Sequence, residues 1–371
     1  MAQCVVTCAK EVGCTEILDV GSGKGYLPTL VAWRGGFEVV AVDGQEANTS
    51  AAAQRSEKIR NLERKEGRKE EKAGPPPERF VTAMIGQNNE GPGVTGGTAA
   101  PDLEMVPLDK LVPDLGLENA LLSGLHCCGD LTGEMIRGFH ASGGLRAMAV
   151  AGCCYHRITE PGGFPMSSAA ATAAKNCIRW PSEKTPPHWN PEGPGVALGF
   201  ILRDQACHSV HAAAVDHSKW AHRISVTNAY VAVLVHLVQD FAERCEVSVP
   251  TEFISNRATT KGHTKVSCPF GTWASKMLAK SSEEFEKMGC DGLGQLSVSA
   301  CEAFYDEHGA VITQQILAMD AVSACLRPVG EAVIVADRVA FLLEKGHVAH
   351  VEAMFDPVIS ARNWVIIARK A

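Results

Sequence analysis

The 371-residue chain has no basic-then-apolar layout of a secretory leader at its N-terminus. Nor does it have an uninterrupted apolar run near the roughly 20 residues that span a bilayer, so no membrane partner is expected. Positive charge is not in surplus: 35 Lys and Arg against 42 Asp and Glu leave −7 at pH 7. That balance argues against a whole-surface grip on nucleic acid and leaves room only for a local basic patch. The 14 cysteines are too diluted for a small disulfide scaffold. Without a secretory signal they are expected as reduced thiols, which points to a cytoplasmic or nuclear protein. What remains is ordinary for a soluble fold, with 46% hydrophobic and 21% charged residues, long enough for one large domain or two smaller ones.

The most informative stretch is Glu16-Ile-Leu-Asp-Val-Gly-Ser-Gly-Lys-Gly-Tyr-Leu27. A short apolar strand runs into glycines at alternate positions and then into a helix start. Glycine lets backbone turn tightly and approach a ligand, and a helix N-terminus offers unpaired N–H groups to its polar end. The spacing discriminates between ligands. A dinucleotide fingerprint reads G-x-G-x-x-G, whereas Gly21, Gly23 and Gly25 give G-x-G-x-G, which disfavours a nicotinamide-dependent oxidoreductase. A Walker A loop ends in Gly-Lys-Ser/Thr, whereas Lys24 is followed by Gly25. Asp19, Gly21, Ser22, Gly23, Gly25 and Tyr26 are the candidate cofactor residues here, and Asp-x-Gly-x-Gly-x-Gly resembles the first motif of class I S-adenosylmethionine (SAM) methyltransferases.

Residues 2–11 read as a short helix ended by Gly13. Phe37–Asp43 reads as a second buried strand ending in an acid, and one carboxylate can accept from both hydroxyls of a ribose, so Asp43 joins the cofactor candidates. Ala47–Lys72 begins as an alanine-rich helix and becomes a run with eight basic and five acidic side chains between Arg55 and Lys72, a solvated face or an RNA contact. Arg79–Ile85 is expected as a third strand, and residues 86–106 as a flexible loop. A fourth strand ends in His126-Cys-Cys-Gly-Asp130 and a fifth, Leu145–Cys153, in Gly152-Cys-Cys-Tyr-His156. Alternating strands and helices imply a mostly parallel sheet, with ligands outside its carboxyl edge, where all four clusters fall. Residues 157–310 leave the alternation and are expected as a largely helical insertion after strand five, with Phe270–Lys287 as one of its helices, within a single domain spanning 1–371. Helical spacing resumes from Ile312 to Leu326, Pro328 is expected to break that helix or start the next, and Val329–Lys345 to form a second one. His347–Met354 and Trp364–Ala368 are expected to pair as a closing hairpin.

Asp19-Val-Gly-Ser-Gly-Lys-Gly-Tyr-Leu27, Gly124-Leu-His-Cys-Cys-Gly-Asp-Leu131, Gly152-Cys-Cys-Tyr-His156, Gly163-Phe-Pro-Met-Ser167 and Phe355-Asp-Pro-Val-Ile-Ser360 resemble the methyltransferase-like protein twenty-five family. Some of its members carry the label ribosomal RNA adenine dimethylase domain-containing. The likeness extends over nearly the whole chain, and a more distant one is to the tRNA 2′-O-methyltransferase of the acceptor stem. It implies a class I SAM methyltransferase: a Rossmann-like, mostly parallel seven-stranded α/β sheet ending in an antiparallel hairpin, with SAM as cofactor. Family members usually carry a longer region before the first strand than the 15 residues here, so an N-terminally truncated chain is expected. Cys128 stands where relatives often have Thr.

Enzymes that methylate the exocyclic amine of adenine typically follow strand four with Asn/Asp-Pro-Pro-aromatic. His126-Cys-Cys-Gly129 stands there instead, which favours a hydroxyl or ring-nitrogen acceptor. His126 and Asp130 are the candidate catalytic pair, a base and a carboxylate, with a structural hydrogen-bonded pair as the other reading, and His126 is also a candidate cofactor contact. Cys153, Cys154, Tyr155, His156 and Arg362 are the candidate substrate contacts. Strands four and five are expected to be neighbours, which would bring His126, Cys127, Cys128, Cys153, Cys154 and His156 together and invites a zinc reading. Adjacent Cys-Cys pairs, however, lack the C-x₂₋₄-C spacing of structural zinc sites, so no metal is assigned. His208, His211, His217 and His222 lack a tight pair with a partnering carboxylate and read as ordinary histidines. RNA is the expected acceptor, with a protein methyltransferase or a catalytically silent scaffold as the alternatives.

Overall fold

The computed structural model describes residues 1–65, 78–86, 105–159, 163–176, 199–207, 220–250, 268–356, 360 and 362–371. The chain divides into two compact units, Met1–Ser209 with Arg327–Ala371, and Val210–Leu326. The first is built on a seven-stranded sheet. Strands β1 (Glu16–Val20), β2 (Glu38–Asp43), β3 (Glu78–Thr82), β6 (Ala120–Cys128), β7 (Leu145–Cys153), β8 (Val348–Ala353) and β9 (Trp364–Arg369) lie in the order β3-β2-β1-β6-β7-β9-β8. The first five pair in parallel, and β9 runs antiparallel to both β7 and β8, as the closing hairpin was expected to do. Chain order reverses at β1, the place where open α/β sheets bind ligands.

Near-continuous apolar runs mark strands covered on both faces, and successive side chains feed opposite cores. Leu18, Val40, Leu122, Met148 and Val150 pack with Leu111 and Val112 of α4 (Leu108–Asp114), Met135 and Phe139 of α5 (Leu131–Ala141) and Leu342. Their neighbours Ile17, Val39, Leu121, Ala147 and Ala149 pack with Val5 and Val6 of α1 (Ala2–Val12) and Val31 and Ala32 of α2 (Tyr26–Gly35).

Three elements depart from the sequence expectation. Arg79–Ile85 is two strands, because β2 ends at Asp43 and offers β3 no partner beyond Thr82; Met84–Ile85 (β4) pairs instead with Met105–Val106 (β5) in a separate ribbon. Phe270–Lys287 is two helices with Lys280 and Ser281 between them. Pro328 breaks nothing: it lies inside one helix, Ala310–Glu344. The basic helix α3 is described over Glu46–Lys65, while residues 66–77 and 87–104 of the basic run and the expected loop lie outside the described residues. So do His208, His211 and His217.

The first unit also holds α6 (Ser168–Asn176) and α7 (Gly199–Gln205). The second is described from Trp220 onward through α8 (Trp220–Arg244), α9 (Phe270–Ala279), α10 (Ser282–Lys287), α11 (Val298–Phe304) and the start of α12 (Ala310–Glu344). It has its own core of Leu234, Val238, Phe270, Trp273, Leu278, Phe285 and Cys301. Of the span 157–310, residues up to Ser209 belong to the first unit and the rest to the second. Among the described residues, the continuous helical stretch Val298–Glu344, in which the π-helical turn Tyr305–Gly309 joins α11 to α12, is the one long and apolar enough to cross a bilayer. Its mean hydropathy is 1.3 over its most apolar 18 residues, although its Leu342 is buried in the first unit's core.

Candidate active site

The glycine loop joins β1 to α2 at the carboxyl edge of the sheet. Gly21, Gly23 and Gly25 have φ of 71°, 54° and 74°, a left-handed backbone that other residues adopt at a cost. Gly21 and Ser22 donate their N–H groups to the Val42 carbonyl, pinning the loop to β2. An added Cβ at Gly23 would meet nothing within 4 Å, and at Gly21 only Leu131 at 3.5 Å, so the loop frames open space. Gly25 differs, because its added Cβ would stand 2.8 Å from Ala52 Cβ. The Ser22 hydroxyl is buried and has no hydrogen-bond partner. An orphaned donor in a glycine cradle at the start of a helix fits the polar end of SAM.

Two carboxylates flank the loop in different environments. Asp43 Oδ2 accepts from the Gly23 N–H at 2.8 Å, and Oδ1 accepts from the Gln45 N–H and Asn48 Nδ2, each at 3.0 Å. Asp43 therefore braces the loop against the start of α3, and a carboxylate's four acceptor positions leave capacity for a ribose hydroxyl. Asp19 is buried inside the sheet with the Ser123 hydroxyl as donor at 2.5 Å. Burial pushes its carboxyl up to about 7, opposed by the Ser123 bond and reinforced by the charge of Asp43. Tyr26 is exposed, with the Arg55 guanidinium 3.3 Å above its ring.

His126 is exposed at the end of β6 with φ 64°, one of three non-glycine residues with positive φ among those described. The structure does not bond it to Asp130: Asp130 Oδ1 accepts from the Thr159 N–H at 2.9 Å and so ties the start of α5 to the segment after β7. The two Cys-Cys pairs do converge. Cys128 lies in register with Cys153, with Sγ atoms 3.3 Å apart, and Cys128 Sγ is 3.4 Å from that of Cys154. Hydrogen bonding with Cys153 and, less, with Cys154 holds the Cys128 thiol pKa below its ordinary value, while the bond with Cys128 and burial push Cys153 up. Cys127 points into the core and is fully buried.

The remaining substrate candidates are committed elsewhere. Tyr155 is buried and donates its hydroxyl to Glu331 Oε1 at 3.2 Å. Arg362 pairs with the same oxygen at 3.1 Å and donates to the Ala206 carbonyl at 2.7 Å. His156 Nδ1 sits 3.4 Å from Cys207 Sγ. Sequence reasoning missed Glu331, Asp337 and Arg338, acids and a base in the mostly apolar C-terminal half of α12. Asp337 accepts from the Met166 N–H and from the N–H and hydroxyl of Ser167. Charges set in an apolar helix were the available signal for these residues, and a lone serine in an apolar strand was the signal for Ser123.

Residues 1–161 match the family model described as a methyltransferase domain. The chain is 23% identical over 475 aligned residues to mouse probable methyltransferase-like protein 25, covering 100% of this chain and 73% of the relative. It is 24% identical over 329 residues to the human protein of that name, covering 85% of this chain and 45% of the relative, so it spans less than half the human protein's length. Among solved structures, an S-adenosylmethionine-dependent methyltransferase from Clostridium acetobutylicum aligns at 15% identity with a TM-score of 0.24, covering 43% and 52% of the two chains. With its parallel sheet closed by an antiparallel hairpin and a glycine cradle at the β1 switch point, the chain is a class I SAM-dependent methyltransferase similar to methyltransferase-like protein 25.

Proposed function

We propose that this methyltransferase acts on RNA, at a hydroxyl or ring nitrogen rather than at the exocyclic amine of adenine. The observation that supports the acceptor chemistry is the end of β6, where His126-Cys-Cys-Gly129 replaces an Asn/Asp-Pro-Pro-aromatic turn and leaves an imidazole exposed on the strand paired with β1. SAM, when bound, supplies an already activated methyl group. The chain's own work is to hold the acceptor in line and, for a hydroxyl, to take its proton, the role of His126. Asp130 acts at a distance, holding through Thr159 the turn that follows His126. The support for RNA is local: Lys58 is exposed on α3, at the start of a run that carries further Lys and Arg to Lys72.

The test begins with calorimetric titration of S-adenosylhomocysteine beside NAD, and continues with tritiated-methyl transfer from SAM into fractionated RNA and protein. The expected result is binding of S-adenosylhomocysteine alone, with label in RNA on a ribose hydroxyl or a ring nitrogen. Label confined to protein overturns the RNA assignment, label on the adenine amine overturns the acceptor chemistry, and binding without transfer to either pool indicates a scaffold. His126→Ala should bind S-adenosylhomocysteine as the parent does and lose on the order of 100-fold in turnover; normal turnover removes His126 from the chemistry.

A further inference from the structure

The Cys-Cys pairs at the ends of β6 and β7 are arranged more closely than their spacing in the sequence suggests. A parallel register sets Cys128 opposite Cys153, so their side chains share one side of the sheet. Ordinary alternation would send the next side chain, that of Cys154, to the opposite side. It does not go there, because Cys154 takes a left-handed backbone, φ 48° and ψ 49°, which keeps its sulfur with the other two. A register irregularity between Leu125 and Cys127, and positive φ at His126, adjust β6 in the same way. Of the three non-glycine residues with positive φ among those described, two flank this cluster. Such backbone costs on the order of 1–3 kcal/mol at each position and gathers at functional sites. Weak thiol–thiol hydrogen bonds do not account for that cost.

We propose that Cys128, Cys153 and Cys154 form a trithiolate site for a thiophilic divalent cation, Zn²⁺, with its fourth coordination position open. The three sulfurs lie within 4.8 Å of one another, and among the described residues no fourth His, Cys, Asp or Glu donor joins them. Tetrahedral coordination with zinc–sulfur bonds of about 2.3 Å requires sulfurs about 3.8 Å apart. The separations of 3.3 and 3.4 Å from Cys128 to its two neighbours need to open by only about half an ångström. Cys128 and Cys154 are half-buried, which gives an ion a way in, while Cys153 is buried behind them. On binding, each thiol gives its proton to solvent and its electron pair to the metal, with no change of oxidation state. Three protein ligands and one open position is the arrangement of zinc sites that bind an exchangeable donor, here a water or an atom of the methyl acceptor. Sequence spacing, which is read along one segment, set this site aside; the register between β6 and β7 selects these three sulfurs from the six Cys and His side chains expected at that edge.

Zinc content is the decisive measurement, made on the full chain purified under reducing conditions without chelator or metal-affinity tag. The expected result is about one zinc per chain, falling at least tenfold in Cys128→Ser and in Cys154→Ser while the exposed Cys325→Ser keeps the parent value. Each variant's fold is checked by circular dichroism, and should both triad variants fail to fold, Co²⁺ titration of the metal-stripped parent decides. Tetrahedral ligand-field bands with thiolate-to-cobalt absorption support the site, and their absence overturns it. Zinc below roughly a tenth per chain even after anaerobic zinc loading, or unchanged zinc in a folded triad variant, also overturns it. None of these readings depends on which acceptor is methylated.

Discussion

Gly23 and Gly25 share a left-handed backbone, yet alanine should fail at them in different ways. At Gly25 the new methyl meets Ala52 at 2.8 Å and the Phe80 ring at 3.2 Å, so Gly25→Ala is expected to cost about 2–4 kcal/mol of folding stability from strain and overpacking together. At Gly23 it meets only open space, so Gly23→Ala should cost about 1 kcal/mol of stability and mainly weaken S-adenosylhomocysteine binding, because the methyl enters the cradle. Chemical denaturation and calorimetry on the two variants separate these outcomes; equal stability losses with equal affinity losses would contradict the assignment. Asp19 makes a pH-dependent case. Its carboxyl rises from an ordinary 3.8 to about 7 on folding. A group raised in the folded state contributes no penalty below about pH 4, where both states are protonated. Its penalty then grows as pH rises to 7, on the order of 4 kcal/mol, and levels off above. Asp19→Asn, which keeps an acceptor for Ser123, should therefore gain stability relative to the parent between pH 4 and 7 while losing cofactor affinity. A parent-to-variant difference that stays flat over that range would show that Asp19 does not carry the shift.

Between elements, the informative contact is the buried one that Arg362 makes with Glu331 and the Ala206 carbonyl. The start of β9, the Glu331 turn of α12 and the carboxyl end of α7 meet on this guanidinium, which is nine-tenths buried. Removing one partner of a buried pair leaves an uncompensated charge, so Arg362→Met is expected to lose about 3 kcal/mol in a denaturant titration and to leave KM for the acceptor unchanged. A raised KM at parental stability would return Arg362 to the substrate. Sequence alone could not choose, because an Arg before a last strand says nothing of what packs on it, and Glu331 lies 31 residues earlier. The same distinction holds elsewhere. The glycine loop, β1, β2, β6 and β7 were legible because their patterns are local: apolar runs, alternate glycines, acids at strand ends. The split of β3 from β4 depends on where the neighbouring β2 stops, the passage of α12 through Pro328 on tertiary packing that overrides propensity, and the three-sulfur cluster on a register between distant segments.

At the scale of the whole molecule the question is whether two cores mean two folding units. The sheet unit buries its apolar residues on both faces of β1, β6 and β7, while the second unit buries Leu234, Phe270, Trp273 and Phe285 among its own helices, with the Tyr230, Phe270 and Tyr305 rings 4.9–5.5 Å apart. The cofactor loop belongs entirely to the first. A ligand that binds only the native first unit stabilises that unit by mass action, by about 2.7 kcal/mol at a hundred times its Kd, and leaves an independently folding neighbour unmoved. Calorimetric melting is accordingly expected to show two transitions, of which S-adenosylhomocysteine raises only one. Gly23→Ala should shrink that shift without moving the other transition. A single transition that moves as a whole with ligand would instead make α12, whose residues 310–326 belong to one unit and 327–344 to the other, the element through which the two cores melt together.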